Sequence, residues 1–181
     1  MDRDQLLLLD ACSLINLVAS GVRLSKIAGA IDCEFVVTAI AAEESLFIAG
    51  RSTNEPQMPV NVGELAAAGD LSVAELTPNE LGRFIILARS VDDGEASTLA
   101  VASERGVEMA TDDKRAIRVA IEIGVTVVTT SQLLRRWAER SDATSAEIAA
   151  ALSNVERRGN FSPRRDDPER GWWTASPSKD S

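Results

Sequence analysis

The sequence predicts an α/β fold of Rossmann-like wind, with a mainly parallel sheet of four to five strands flanked by helices. Two observations carry this. Short apolar runs of strand length alternate with segments of helical period along most of the chain. The first run, "QLLLLD", is apolar on both faces, as a central parallel strand must be.

The elements follow in order. "QLLLLD" is a strand that ends in an acid, Asp10. "SLINLVASG" and "LSKIAGAI" read as helical pieces, and "CEFVVT", rich in β-branched residues, as a second strand. "AIAAEESLFIAG" has helical spacing through Ile40, Glu44 and Phe47 and is expected to run as a helix to Gly50. "RSTNEPQMPVN" is a polar, Pro-containing loop. "ELAAAGD" is helical, "LSVAEL" a third and weaker strand, and "TPNELGRFIILARS" a helix with Pro78 in its first turn. "DDGEASTLAVASERG" is a helix with Asp caps at its start and Gly106 at its end. "VEMAT" and "VTVVTT" are strands, each followed by a helix, "DKRAIRVAIEIG" and "SQLLRRWAERS". "TSAEIAAALSNVERRG" is expected to be the last helix. From about Asn160 the chain turns polar and Pro-rich, which predicts an extended tail. The organisation expected is one domain over residues 1–140, then a C-terminal helix and a polar Arg/Trp-containing tail over residues 141–181.

Composition narrows the chemistry. There is no histidine, which excludes Ser-His-Asp triads, Cys-His dyads and imidazole zinc sites. The two cysteines, Cys12 and Cys33, sit among apolar neighbours and are expected to be reduced and buried. Hard-metal chemistry on carboxylates stays open, because Mg²⁺ and Mn²⁺ take oxygen ligands. Net charge is −9, with −10 on the first 150 residues and +1 on the last 31. Such a body does not attract nucleic acid through its overall field, so binding would need a local basic surface, a metal or a basic partner. No apolar run has the length of a membrane span, and "MDRDQ" lacks the basic region of a signal peptide; the expected location is the cytoplasm, with no membrane partner.

Acids recur where strands hand over to helices. Asp10 ends the first strand, and Asp112 and Asp113 end "VEMAT". Asp92, Asp93 and Glu95 open the helix before that strand, and Glu43 and Glu44 follow "FVVT". Each has an ordinary explanation as a cap or a solvated helix residue. Asp10 is harder to explain so, since an acid right after four leucines needs compensation. In a parallel sheet the four positions converge on one edge, where carboxylates repel one another unless a cation sits between them.

With these residues the chain resembles the PIN domain family, and its small bacterial toxin-type (VapC-like) members most. "LLLLDACSLINLV", "VVTAIAAEES", "DDGEASTLAVASERG" and "MATDDKRAIRVAIEIG" resemble the family's four acid-bearing segments, in order and spacing, over roughly Leu6 to Arg140. The resemblance implies a Mg²⁺- or Mn²⁺-dependent endoribonuclease, the toxin of a toxin–antitoxin pair. Its catalytic acids would be Asp10, Glu44, Glu95 and Asp113, with Glu43 in reserve for Glu44. The metal set would include Asp93 and Asp112 as well. One of the adjacent pair is expected to face the metal and the other to cap the helix. The Thr111-x-Asp113 pattern assigns Asp113 to the metal and Asp112 to the cap. Cys12 stands where a small polar residue is usual, and Ser45 where an apolar one is.

The chemistry implied needs no histidine: a metal activates a water and offsets charge developing on the phosphate. Lys114, Arg115 and Arg118 follow Asp113 and would hold a flanking phosphate of the RNA substrate, although a solvated helix face explains them too. In "LLRRWAER", Trp137 is expected to pack in the core rather than to stack on RNA. The arginines, Phe161 and the adjacent Trp172 and Trp173 of the tail leave three roles open: contact with RNA, docking on its own domain, or a partner surface. The partners implied are RNA, an antitoxin protein and a second copy of the chain. Two other readings compete: a catalytically weak PIN-like nucleic-acid-binding or scaffold protein, and a receiver-type signalling domain. The latter fits poorly, because "LSVAEL" offers no acceptor Asp at its end.

Overall fold

The computed structural model describes residues 5–44, 46–50 and 54–176. The chain opens with β1 (Leu6–Leu9), α1 (Ala11–Ala19), α2 (Leu24–Ala30), β2 (Glu34–Thr38) and α3 (Ala39–Ala42). A small pair of strands, β3 (Phe47–Ile48) and β4 (Met58–Pro59), precedes α4 (Val62–Ala67), β5 (Ser72–Ala74) and α5 (Pro78–Leu87). Then come α6 (Asp93–Arg105), β6 (Glu108–Ala110), α7 (Lys114–Glu122), β7 (Val127–Val128), α8 (Thr130–Arg140), α9 (Ser145–Asn154) and α10 (Arg170–Ala175). The main sheet has five strands in the order β5-β2-β1-β6-β7, and every pairing in it is parallel. The α/β, Rossmann-like sheet flanked by helices read from the sequence is the fold.

Strand pleat sorts the core into two layers, because successive side chains point to opposite faces. Leu7 and Leu9 of β1, with Phe35 and Val37 of β2, face one layer, where Leu14, Leu17, Ile27, Leu133 and Trp137 pack. Leu8 and Val36 face the other, with Leu99 and Val101 of α6 and Met109 of β6. The unbroken leucines of β1 are thus the requirement of a strand covered on both sides.

The caps are largely those the sequence announces. Thr77 and Glu80 form a reciprocal capping box at α5 with Pro78 in the first turn, and Gly106 ends α6 in the left-handed region at φ 64°. No single helix among the described residues is long and apolar enough to cross a membrane.

Three expectations fail. The helix predicted to run from Ile40 to Gly50 stops at Ala42. Glu43 and Glu44 donate their amides three residues back, to Ile40 and Ala41, and Phe47 and Ile48 pair antiparallel with Pro59 and Met58. Ser45 and residues 51–53 of the following loop lie outside the described residues. Cys12 is exposed rather than buried, because it falls on the outer side of α1, while Cys33 is half-buried. The extended tail is instead folded back: α10 forms, and Trp173 is 3% exposed, its indole N–H donating to Glu156 at 2.8 Å.

Candidate functional site

The four acid-bearing segments do meet at the carboxyl ends of the strands. Asp10 leaves β1 as the N-cap of α1, one oxygen accepting the Ser13 amide at 2.7 Å. It is 1% exposed, and its other oxygen, Oδ2, has no hydrogen-bond partner; nor does the neighbouring Ser13 hydroxyl. Burial pushes the Asp10 carboxyl up to about 7, against partial relief from the Thr111 side chain and from Ser13 and with the charge of Asp112 adding to the rise.

Asp112 and Asp113 part ways, but not as expected. Asp113, not Asp112, caps α7: its Oδ1 accepts the amides of Arg115 at 2.7 Å and Ala116 at 2.9 Å. Asp112 turns inward. Its Oδ1 accepts the Thr130 amide at 2.9 Å, and its Oδ2 accepts the Thr130 hydroxyl at 2.5 Å and the Asn16 amide at 3.1 Å. The start of α8 offers Asp112 two donors from one residue, the Thr130 amide and hydroxyl, and Asn16 adds a third. Burial raises the Asp112 carboxyl, opposed by these bonds.

At the start of α6, Asp92 is the cap, accepting the Glu95 amide at 2.8 Å. Glu95 is half-buried and pushed up to about 7, first by burial and then by the charges of Asp92, Asp113 and Asp10. Asp93 is exposed beside them. Glu44 is exposed in the turn after α3, and its carboxylate lies against Gly94: a Cβ there would fall 1.8 Å from Glu44 Oε1. Burial raises Glu44, and then Asp92 and Asp93 do. Glu43 ends α3 and is exposed.

Electrostatically there are two groups sharing the start of α6: Asp10, Glu95, Asp112 and Asp113 inside, and Glu44, Asp92 and Asp93 outside. Cys12 registers the inner group. Its thiol is pushed up to about 12, by partial shielding from solvent first and then by Asp10, Asp112, Glu95 and Asp113 together. Among the described residues, no group of three or more Asp, Glu or Cys side chains is placed to hold a metal ion.

Lys114, Arg115 and Arg118 are exposed on α7, the helix that Asp113 caps, and none is in an ion pair among the described residues. The arginines of "LLRRWAER" are used structurally. Arg135 pairs with Glu139 and Glu169 and lies 5.5 Å over Trp172, Arg136 pairs with Glu108, and Trp137 is buried.

Sequence reasoning missed the residues that hold the site. Asn16 and Thr130 fix Asp112, Ser131 donates to Asp167 of the C-terminal segment at 2.8 Å, and Arg164 donates to the Asp112 carbonyl at 3.3 Å. Only Asn16 left a signal, as an amide in the apolar run "SLINLV" that had to find a partner once buried.

The model of DUF3368, a PIN domain family, matches residues 6–165. The fold is similar to the solved structure of SSO1118, a PilT N-terminus domain protein from the hyperthermophilic archaeon Sulfolobus solfataricus P2. That likeness has a TM-score of 0.44 and 17% identity, covering 77% of this chain and 99% of that one. Among curated proteins, none matches the chain.

Proposed function

Because the chain belongs to the PIN domain family, whose members are in general nucleases, we propose that it is a divalent-metal-dependent endoribonuclease and the toxin of a toxin–antitoxin pair. The observation that supports this reading best is the buried Asp10 oxygen with no partner, beside a half-buried Glu95 whose carboxyl is raised by its acidic neighbours. A buried carboxylate oxygen without a donor is costly, and a cation is the partner that would also relieve the repulsion.

The donor set fits a hard ion, Mg²⁺ or Mn²⁺, since every ligand on offer is a carboxylate oxygen. Asp10, Glu95 and Asp113 would hold it, Asp113 through the oxygen that α7 does not use. Asp112, with both oxygens already bonded, orients the start of α8 and the backbone beside Asp113. Glu44 and Asp93 would act from the outer group. When bound, the ion would lower the pKa of an associated water and offset charge on the phosphate. Lys114, Arg115 and Arg118 would hold RNA phosphates flanking the scissile bond, offsetting a body whose net charge of −9 repels the substrate.

The test is cleavage of a labelled single-stranded RNA with Mg²⁺ or Mn²⁺ and with EDTA. Asp10→Asn and Asp113→Asn should each lose roughly 100-fold or more, a loss at least as large as that of an outer-sphere change at a metal site. Asp112→Ala should lose less and melt at a lower temperature. Cleavage that persists in EDTA, or in folded Asp10→Asn, rejects the reading.

A further inference from the structure

We propose that Arg164 of the C-terminal segment is a substrate-binding residue of the acid cluster, its guanidinium seating a backbone phosphate of the RNA. The residue lies outside residues 1–140, the domain read from the sequence, yet the fold returns it to the strand ends. Its Nη2 donates to the backbone carbonyl of Asp112 at 3.3 Å. That carbonyl immediately precedes Asp113, and Lys114 immediately follows it. Two cations therefore bracket the acid assigned to the metal. A phosphate approaching the cluster is repelled by its carboxylates and by a body of net charge −9. A cation held at the cluster itself offsets that repulsion where the phosphate must sit.

The charge of Arg164 is not spent on the fold. Arginines elsewhere in this chain take nearby carboxylates, as Arg105 takes Glu80 and Arg136 takes Glu108. Arg164 stands beside the inner acid group and takes only a carbonyl; among the described residues it forms no ion pair. Asp112, whose carbonyl it touches, has both carboxylate oxygens committed to Thr130 and Asn16. Arg164 is exposed, and one bond to a carbonyl leaves most of its N–H fork open for a phosphate. Its backbone, by contrast, is fixed. Pro163 before it is buried, and the Pro163 carbonyl accepts Arg170. The Arg164 carbonyl accepts the Asp167 amide at 3.1 Å, which closes a turn, and Asp167 accepts the Ser131 hydroxyl at the start of α8. An arginine anchored in this way loses less freedom on binding than one on a loose tail. The inference rests on the reading of the acid cluster as an RNA-cleaving site and names a residue that holds the substrate there.

Fluorescence anisotropy of a labelled single-stranded RNA tests it, on the full chain carrying Asp10→Asn so that the probe stays intact. Binding is measured in Mg²⁺ from about 50 to about 200 mM KCl. Adding Arg164→Gln, a neutral change at an exposed position, should raise the dissociation constant roughly tenfold, the worth of one hydrogen bond to a charged group. It should also lower the slope of log Kd against log salt by about 0.7, that of one phosphate contact on a single strand. Arg164→Lys should keep the slope, because the charge remains, and lose less affinity. Arg165→Gln removes the same charge from the next residue, also exposed, and should leave the slope unchanged. A slope that Arg164→Gln leaves unmoved, an equal fall with Arg165→Gln, or a parent chain that binds no RNA overturns the proposal. Cleavage in Mn²⁺ by the chain with Asp10 intact reads the nuclease proposal separately. Cleavage that Arg164→Gln leaves at the full rate overturns the role of Arg164 and leaves the nuclease standing. RNA held through Arg164 but never cleaved does the reverse.

Discussion

Asp10 shows what one residue costs when function and folding disagree. Its carboxyl is pushed from the ordinary 3.8 to about 7, and that of Glu95 from 4.5 to about 7. Without a cation, the folded chain therefore holds protons that the unfolded chain has released. Over that interval the native state binds more protons than the unfolded one, so stability falls as pH rises. The contribution of the two acids is fullest below about pH 4 and lost above about pH 7, and for Asp10 it is worth on the order of 4 kcal/mol. Asp70 and Glu80 are shifted the opposite way, so their contribution is lost only at lower pH and leaves this window clear. In EDTA the melting temperature should fall as pH is raised from about 5 to about 8. Asp10→Asn should reduce that slope, Glu95 carrying the rest, and added Mn²⁺ should restore the wild type at the high end. A melting temperature that rises across the window, or a slope that Asp10→Asn leaves intact, removes the buried-acid account.

At the scale of elements, the start of α6 joins the two acid groups. Gly94 sits there with Glu44's carboxylate in the space its side chain would fill. Gly94→Ala should strengthen the helix by roughly 0.5–1 kcal/mol, since alanine loses less backbone entropy. It should also push Glu44 aside, because a flexible carboxylate yields before a helix backbone does. Metal-supported cleavage should then drop while the melting temperature rises. Unchanged cleavage with the same stabilisation would show Glu44 to be idle. The sequence made α6 and its caps legible because every signal there is local: Asp92 at the start, Gly106 at the end, small apolar residues between. The turn carrying Glu44 was not legible. Ile40, Glu44 and Phe47 fit a helical period, but Phe47 and Ile48 are held by Pro59 and Met58 across a loop, a pairing that local spacing does not encode. Asp112 was misread for the same reason, because its partners, Thr130 and Asn16, are distant in the chain.

For the whole molecule, the C-terminal segment closes the first core layer rather than trailing from it. Composition predicted an extended tail because arginine, proline and acids dominate after Asn160. The average concealed three aromatic rings that pack as a unit. Phe161 meets Trp173 edge-on with centroids 5.7 Å apart, Trp172 meets it at 6.3 Å, and Arg135 lies over Trp172. Trp173 then reaches the layer built on Leu17, Trp137 and Val155. The same segment touches the site through Asp167 on Ser131 and Arg164 on the Asp112 carbonyl, so fold closure and site geometry are one arrangement. Trp173→Ala should cost roughly 3–5 kcal/mol in urea unfolding, the range for emptying a buried aromatic position. Trp173→Phe should cost less, keeping most of the volume and losing the bond to Glu156. Unfolding followed by tryptophan fluorescence and by far-ultraviolet circular dichroism should give coincident transitions in the wild type, as one cooperative unit requires. Suppose instead that fluorescence changes first, or that Trp173→Ala costs under about 1 kcal/mol, the level of an ordinary surface change. The segment would then be a passenger on a domain complete without it, and Arg164 and Asp167 could not be counted as supports of the acid cluster.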